Sequence, residues 1–287
     1  MRRLLAIVMA IVMVMFCTAC GSTQQENLEN KTPDVRGVED GILTVGMECA
    51  YAPYNWSQLD DTNGAVPIAN APGTYANGYD VIIAKKICQT YGWQLEVMQI
   101  GWDGLTPALN AGTIDAVIAG QSMTADRKAE VDMAGPYYYA SIVCVTKENS
   151  PFASATGISQ LNGACTAQTG TVWYDGCLPQ IPGAELMPAA ETSPAMIMAL
   201  TSGSVDFICT DMPTAMGACA AYQGLKILDF TGSDDNFEVS KEEINIGISV
   251  IKGNTELRQL MDDVLSAMTV EDFNNLMNQA IEMQPEI

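Results

Sequence analysis

The chain contains no histidine. A Ser-His-Asp triad, a Cys-His pair and any histidine-bearing zinc site are therefore excluded. What is left to do chemistry is placed charge. The stretch Ala119-Gly120-Gln121-Ser122-Met123-Thr124-Ala125-Asp126-Arg127 runs from the end of an apolar segment into an expected helix. Thr124 suits the N-cap of that helix, which puts Arg127 in its first turn. A cation there opposes the helix dipole by roughly 0.3–1 kcal/mol. Beyond residue 19 the arginines are Arg36, Arg127 and Arg258, so the placement wants a reason. Two readings stand. Arg127 is a surface residue paired with Glu130 or Asp132, or it waits for an anion. In the second reading its guanidinium forks onto a carboxylate, while Ser122 and free N–H groups add donors. Asp211 sits at the same kind of strand exit further along, just before Met212-Pro213. It reads as a helix N-cap or, paired with Arg127 across a cleft, as the partner of an ammonium. The two together would grip a zwitterion, and each desolvated charge would need a fixed partner.

The elements that must position these residues follow from periodicity. Residues 42–46 read as a buried strand, followed by Tyr51-Ala52-Pro53-Tyr54 in a loop. Residues 60–78, rich in Asn, Gly and Pro, form a long excursion or hairpin. A helix starts at Asp80, carries Ile83, Ile87 and Tyr91 on one face and closes at Gly92. Strands are expected at 95–100 and 114–119, with a short helix at 102–111 between them. This alternation implies a parallel sheet covered on both faces. The pattern then restarts with strands at 142–146 and 205–210, a helix at 192–200 and another opened by Pro213. A strand at 247–251 precedes two amphipathic helices, the second capped by Thr269. Two α/β units in succession suggest two lobes with a cleft between them.

Composition sets the class. Of 287 residues, 48% are hydrophobic and 16% charged, which describes a globular chain with an ample core. Thirteen Lys and Arg against 34 Asp and Glu give a net charge of −21. Such a balance argues against nucleic acid as a partner, since phosphate binding needs clustered cations. The N-terminus reads as an address. Met1-Arg2-Arg3 precedes an apolar run over residues 4–16, short of the roughly 20 residues a spanning helix needs. Cys17-Thr18-Ala19-Cys20 resembles a lipoprotein cleavage box, although Cys17 stands where an aliphatic residue is usual. Residues 1–19 are thus expected to be a signal peptide and Cys20 the lipid-bearing N-terminus, with residues 20–41 a polar tether. Ordinary secretion with an incidental cysteine is the other reading. Seven cysteines remain beyond Cys20, an odd number that excludes a complete disulfide set within one chain. Several lie among apolar neighbours and read as small buried hydrophobes.

The order of motifs resembles a known family, the solute-binding proteins of ABC transporters for polar amino acids, with the type II periplasmic-binding fold. The resemblance covers residues 42–285. It is carried by Tyr51-Ala52-Pro53-Tyr54, Gly78-Tyr79-Asp80-Val81, Trp102-Asp103-Gly104-Leu105-Thr106-Pro107-Ala108-Leu109 and Gly112-Thr113-Ile114-Asp115-Ala116. Thr124-x-x-Arg127, Gly135-Pro136-Tyr137-Tyr138, Gly170-Thr171 and Val205-Asp206-Phe207 complete it. It implies an α/β fold of two lobes, each on a parallel-core sheet, joined by a two-strand hinge. Lobe 1 would span residues 42–140 and 241–287, and lobe 2 residues 141–240, with crossovers near 140–141 and 239–245.

The resemblance also implies roles. Arg127 would hold an amino acid's α-carboxylate, and Gly120 and Ser122 would supply groups for its ammonium and carboxylate. Asp211 would take the ammonium. Gly170, Thr171 and Val172 would offer backbone donors, Val172 departing from the hydroxyl residue common there. Tyr51 would line the ligand's side chain. Glu48 aligns with a position that is acidic in relatives preferring cationic ligands; a solvated acid at the end of a strand is the alternative. Trp102 is a pocket wall or core packing, and Tyr54 and Trp56 line the pocket or merely pack. The implied protein is a monomeric, lipid-anchored receptor on the outer face of the bacterial cytoplasmic membrane. Its partners would be a free amino acid and the permease subunits of an ABC transporter, with no cofactor and no catalysis. The alternative is an exported enzyme on the same scaffold, such as a dehydratase of amino-acid-like substrates, using carboxylates as acid or base.

Overall fold

A computed structural model describes residues 35–285. The expected signal peptide, Cys20 and residues 21–34 of the tether lie outside the described residues. Residues 35–41, at the end of that expected tether, pack on the fold instead. Val35 and Val38 are buried, and Asn254 donates to the Arg36 carbonyl at 2.9 Å. Two valines three residues apart are what anchor this segment.

The chain begins with β1 (Ile42–Met47) and then makes a small antiparallel sheet from β2 (Ala50–Tyr51), β3 (Asn55–Gln58), β4 (Val66–Pro67) and β5 (Tyr75–Asn77). This is the excursion expected from the Asn, Gly and Pro content. Helix α1 (Tyr79–Tyr91) buries Ile83 and Ile87 and stops at Gly92, whose φ of 73° lets its N–H turn back to the Cys88 carbonyl. Then come β6 (Gln94–Gln99), α2 (Leu105–Asn110), β7 (Ala116–Val117), α3 (Ala125–Glu130) and β8 (Asp132–Tyr138). The expected helix at 102–111 is a separate turn at Trp102–Gly104 followed by α2, and the strand at 114–119 keeps only two ladder residues.

The second half of the chain supplies β9 (Ile142–Lys147), β10 (Ala164–Thr166), β11 (Glu185–Leu186), α4 (Ser193–Ser202), β12 (Phe207–Asp211), α5 (Met212–Ala221) and β13 (Leu225–Leu228). It ends with α6 (Lys241–Ile244), β14 (Ile246–Val250), α7 (Thr255–Ser266) and α8 (Val270–Met283). Helix α8 starts in a capping box, Thr269 and Asp272 each satisfying the other's backbone N–H, and buries Phe273, Met277 and Ala280.

Two five-stranded sheets result. The first has the order β6-β1-β7-β14-β8, with β6, β1 and β7 parallel and β14 antiparallel to both β7 and β8. The second has the order β11-β10-β12-β9-β13, with β11, β10 and β12 parallel and β9 antiparallel to β12 and β13. The chain leaves the first sheet at Tyr138, enters the second at Ile142, leaves that at Leu228 and returns at Ile246. The parallel strands of both sheets deliver loops from their C-terminal ends, where open α/β sheets bind ligands. Glu48 follows β1, Gly120 follows β7, Gln168 follows β10 and Asp211 ends β12. The seven cysteines among the described residues are free thiols; Cys219 is half-buried and the other six are buried. No helix of the described residues is long and apolar enough to cross a membrane.

Candidate functional site

Arg127 stands in the first turn of α3, whose N-cap is Thr124: the threonine hydroxyl accepts the Arg127 N–H at 3.2 Å. Its guanidinium donates to the Ser122 carbonyl and lies 5.7 Å from the centre of the Trp102 ring. Of the two acids that could have paired with it, Asp132 holds Lys252 at 3.1 Å instead. Among the described residues Arg127 makes no ion pair. Burial lowers its pKa to about 10, with Glu130 opposing, so it remains a cation at neutral pH. A cavity of about 430 Å³ is lined by Arg127 and Thr124 from one side and by Gly170, Thr171 and Val172 from the other.

Gly170 has a φ of 64°, and a Cβ there would come within 3.2 Å of the Trp102 indole nitrogen. Trp102, half-buried, is thus wedged between Arg127 and the loop after β10. Thr171 is buried and spends its hydroxyl on the Gln168 carbonyl at 2.7 Å, which fixes the loop's curvature. Val172 leads into the turn Trp173–Cys177.

Asp211 is buried and caps α5: one carboxylate oxygen accepts the Thr214 N–H at 2.9 Å. Its other oxygen accepts the hydroxyls of Tyr54 at 2.9 Å and Tyr51 at 3.2 Å, from the loop and strand after β1. The N-cap reading therefore holds, and the same carboxylate also ties the second sheet to the segment that follows β1. Burial raises the Asp211 pKa, while Thr214 and the two tyrosines pull it back. The Tyr51 and Tyr54 rings stack at 4.8 Å. Both lie against Gly120, where a Cβ would sit 2.5 Å from Tyr51 and 3.1 Å from Tyr54. The Gly120 N–H donates to the Tyr137 hydroxyl at 3.0 Å. Ser122, almost buried, bridges to Ile246 of β14. Trp56 bonds Gln58 inside the small sheet at 3.1 Å.

Glu48 is 4% exposed. One carboxylate oxygen accepts from Gln168 at 3.3 Å, in the loop after β10, and the other has no hydrogen-bond partner among the described residues. Burial raises the Glu48 pKa to about 7, Gln168 lowering it and Asp103 adding to the rise. It is not a solvated acid. The ten expected residues come after the C-terminal ends of parallel strands or at them: Glu48 and Tyr51 after β1, Trp102 after β6, Gly120, Ser122 and Arg127 after β7, Gly170, Thr171 and Val172 after β10, and Asp211 at the end of β12. Tyr51, Gly120 and Asp211 form one contact cluster and Arg127, Trp102 and Gly170 another. Sequence reasoning missed Gln168, because the strand it follows, β10, has only three residues and leaves no periodicity to mark its end. It also missed Asp80, Asn55 and Tyr137, which lie behind the site.

Comparison with known proteins bears on this arrangement. A family model, for bacterial extracellular solute-binding proteins, family 3, matches residues 43–281. The arginine-binding extracellular protein ArtP of Bacillus subtilis (strain 168) is 26% identical over 154 residues, 54% of this chain and 51% of that protein. The chain thus aligns with about half the length of that relative. A probable histidine-binding protein of Neisseria gonorrhoeae is 27% identical over 228 residues, 78% of this chain and 76% of that one. An amino acid ABC transporter substrate-binding protein from Streptococcus pneumoniae Canada MDR_19A, solved with L-arginine, matches with a TM-score of 0.73 at 23% identity, covering 87% of this chain and 97% of that one. The likeness is one of fold, the type II periplasmic-binding architecture.

Proposed function

The chain belongs to the bacterial extracellular solute-binding proteins, family 3, and from that premise we propose that it captures a free amino acid in the cleft between its two sheets and delivers it to the permease of an ABC importer. Arg127 takes the ligand's carboxylate, with the N–H groups of Gly170, Thr171 and Val172 and the Ser122 hydroxyl as further donors. Asp211 and the Gly120 carbonyl take the ammonium. Tyr51 and Trp102 wall the side chain, and Glu48 meets its far end, which favours a cationic or polar amino acid. The observation that carries this reading is Arg127 itself, a cation that makes no ion pair among the described residues and lines a cavity shared with Gly170, Thr171 and Val172 of the second half, although Glu130, Asp175 and Glu243 also reach that cavity.

The two halves, residues 42–140 with 241–287 and residues 141–240, hinge at their crossovers. Contacts that link the two halves, Tyr51 and Tyr54 to Asp211 and Glu48 to Gln168, favour the closed form, and a ligand touching both halves adds to them. The permease reads closure, and no bond of the ligand is made or broken. Cys20 carries a lipid that holds the protein, as a monomer, on the outer face of the membrane. The test is a thermal-shift and calorimetric screen of the mature chain against the amino acids, with L-arginine, L-histidine and L-cystine among them. A ligand at 100 times its Kd adds about 2.7 kcal/mol of stability. Stabilisation by one chemical class of amino acid is expected. No stabilisation by any, after unfolding, dialysis and refolding to remove a co-purified ligand, would overturn the reading.

A further inference from the structure

We infer that Asp80 is a positioning residue for the amino-acid site, holding through Asn55 and Tyr137 the two backbone turns from which the first half's ligand contacts project. The inference rests on the amino-acid-binding reading above and extends it to residues that touch no ligand.

Asp80 lies in the first turn of α1 and is wholly buried. Its carboxylate accepts two hydrogen bonds, from the Asn55 amide at 2.7 Å and from the Tyr137 hydroxyl at 2.6 Å. Neither donor ends the chain of contacts. The Asn55 side-chain oxygen accepts the N–H of Cys49 at 2.7 Å, and the Tyr137 hydroxyl oxygen accepts the N–H of Gly120 at 3.0 Å. Both receiving residues are left-handed: Cys49 has a φ of 55° and Gly120 a φ of 65°. Each comes just past the end of a parallel strand, where the ladder no longer offers its N–H a partner. A left-handed non-glycine residue persists only where its surroundings hold it, and Cys49 is held by Asn55.

The two turns are the ones that matter for ligand. Cys49 separates Glu48 from Ala50-Tyr51, so its conformation decides where the Glu48 carboxylate points. Gly120 sets the path of Gln121 and Ser122, and its bare Cα is where Tyr51 and Tyr54 rest. One buried carboxylate therefore governs two branches. The Tyr137 branch ends at groups meant for the ligand's backbone atoms. The Asn55 branch ends at the residue meant for its side chain. Burial raises the Asp80 pKa to about 7, the Tyr137 hydroxyl, the Asn55 amide and the Gly120 N–H act to lower it, and the Asp211 charge adds to the rise, so the network is complete when Asp80 is ionised and its donors point at it.

A merely structural role would lower stability and leave the folded protein's affinity alone. The branch assignment predicts more. The mature protein is first titrated calorimetrically with L-arginine, L-histidine and L-cystine, then with L-arginine against its neutral isostere L-citrulline. Tyr137→Phe removes one hydroxyl and should weaken arginine and citrulline alike, about tenfold or more, the scale of one buried hydrogen bond. Asn55→Ala should weaken arginine more than citrulline. Adding Cys49→Gly to Asn55→Ala should restore much of the arginine affinity, because glycine takes a positive φ without strain. Asp80→Asn should weaken both ligands. Melting temperatures that fall while every Kd stays within about twofold of wild type would overturn the inference. Failure of the glycine rescue would overturn the Asn55 branch. A wild-type protein that binds none of the amino acids overturns the amino-acid reading, and this inference with it.

Discussion

Replacing Glu48 with glutamine should make the unliganded protein more stable above pH 7 and abolish the proton release expected on adding arginine under the proposed function. Glu48 is buried with one oxygen on Gln168 and the other unpartnered, and burial lifts its pKa from 4.5 to about 7. For an acid whose folded pKa lies above the unfolded one, the folded state binds the extra proton between the two values. Wild-type stability therefore falls as pH rises from about 4.5 to about 7, and the loss persists above that. The whole interval corresponds to about 3 kcal/mol, taken as an upper bound. Glutamine cannot ionise and avoids the loss. At about 2–4 °C per kcal/mol for a chain of this size, Glu48→Gln should melt up to about 10 °C higher than wild type at pH 8, with no gain near pH 4. A guanidinium seated against Glu48 would hold it ionised. With a pKa of about 7, arginine binding should then release about 0.9 proton at pH 6 and about 0.1 at pH 8. Calorimetry in buffers of different ionisation enthalpy counts those protons. Citrulline should release few, and arginine should release few from Glu48→Gln. A stability difference that does not change with pH, or equal proton release from variant and wild type, would refute the argument.

Arg127→Ala should weaken amino-acid binding by about 2–5 kcal/mol, roughly 30-fold to several thousand-fold in calorimetric Kd; near-normal affinity would remove Arg127 from the carboxylate. Cys20→Ser should move the exported protein from the membrane fraction to the soluble fraction of expressing cells, and unchanged membrane association would refute the lipid anchor.

Much of this fold was legible where a local rule acts alone. Gly92 ends α1 by a left-handed turn and Thr269 caps α8, both set by a few adjacent residues. Strand β8 escaped because Gly135-Pro136 sits inside it, and a proline within a run argues against a strand. It is tolerated here on an edge of the first sheet, next to β14 alone. Strands β10 and β11 are too short for periodicity to register. At the site, Arg127 is legible because a cation in a first helical turn opposes the dipole, and Asp211 because it stands at a strand exit just before Met212-Pro213, whereas Glu48 is picked out only by the family resemblance. In the sequence Asp80 marks only a helix start, since nothing local tells an exposed first-turn acid from a buried one. Its burial comes from Tyr137 and Asn55, which sequence separates from it by 57 and 25 residues.

The strand order of the first sheet also constrains how the molecule is made. β14 lies between β7 and β8, yet it is the last strand to leave the ribosome or an export channel. Until residues 246–250 arrive, β7 and β8 face an empty slot with unpaired backbone edges, the kind of surface that recruits foreign strands. The second sheet has no such gap, because all five of its strands lie within residues 142–228. It can form while the first half is still open. Assembly of the first sheet must wait on contacts spanning more than 100 residues, such as Met133 to Ser249, the long-range closure that slows folding. A chain arrested or clipped before Ile246 would carry a finished second half beside a first sheet that cannot close, a natural target for chaperones and for proteolysis.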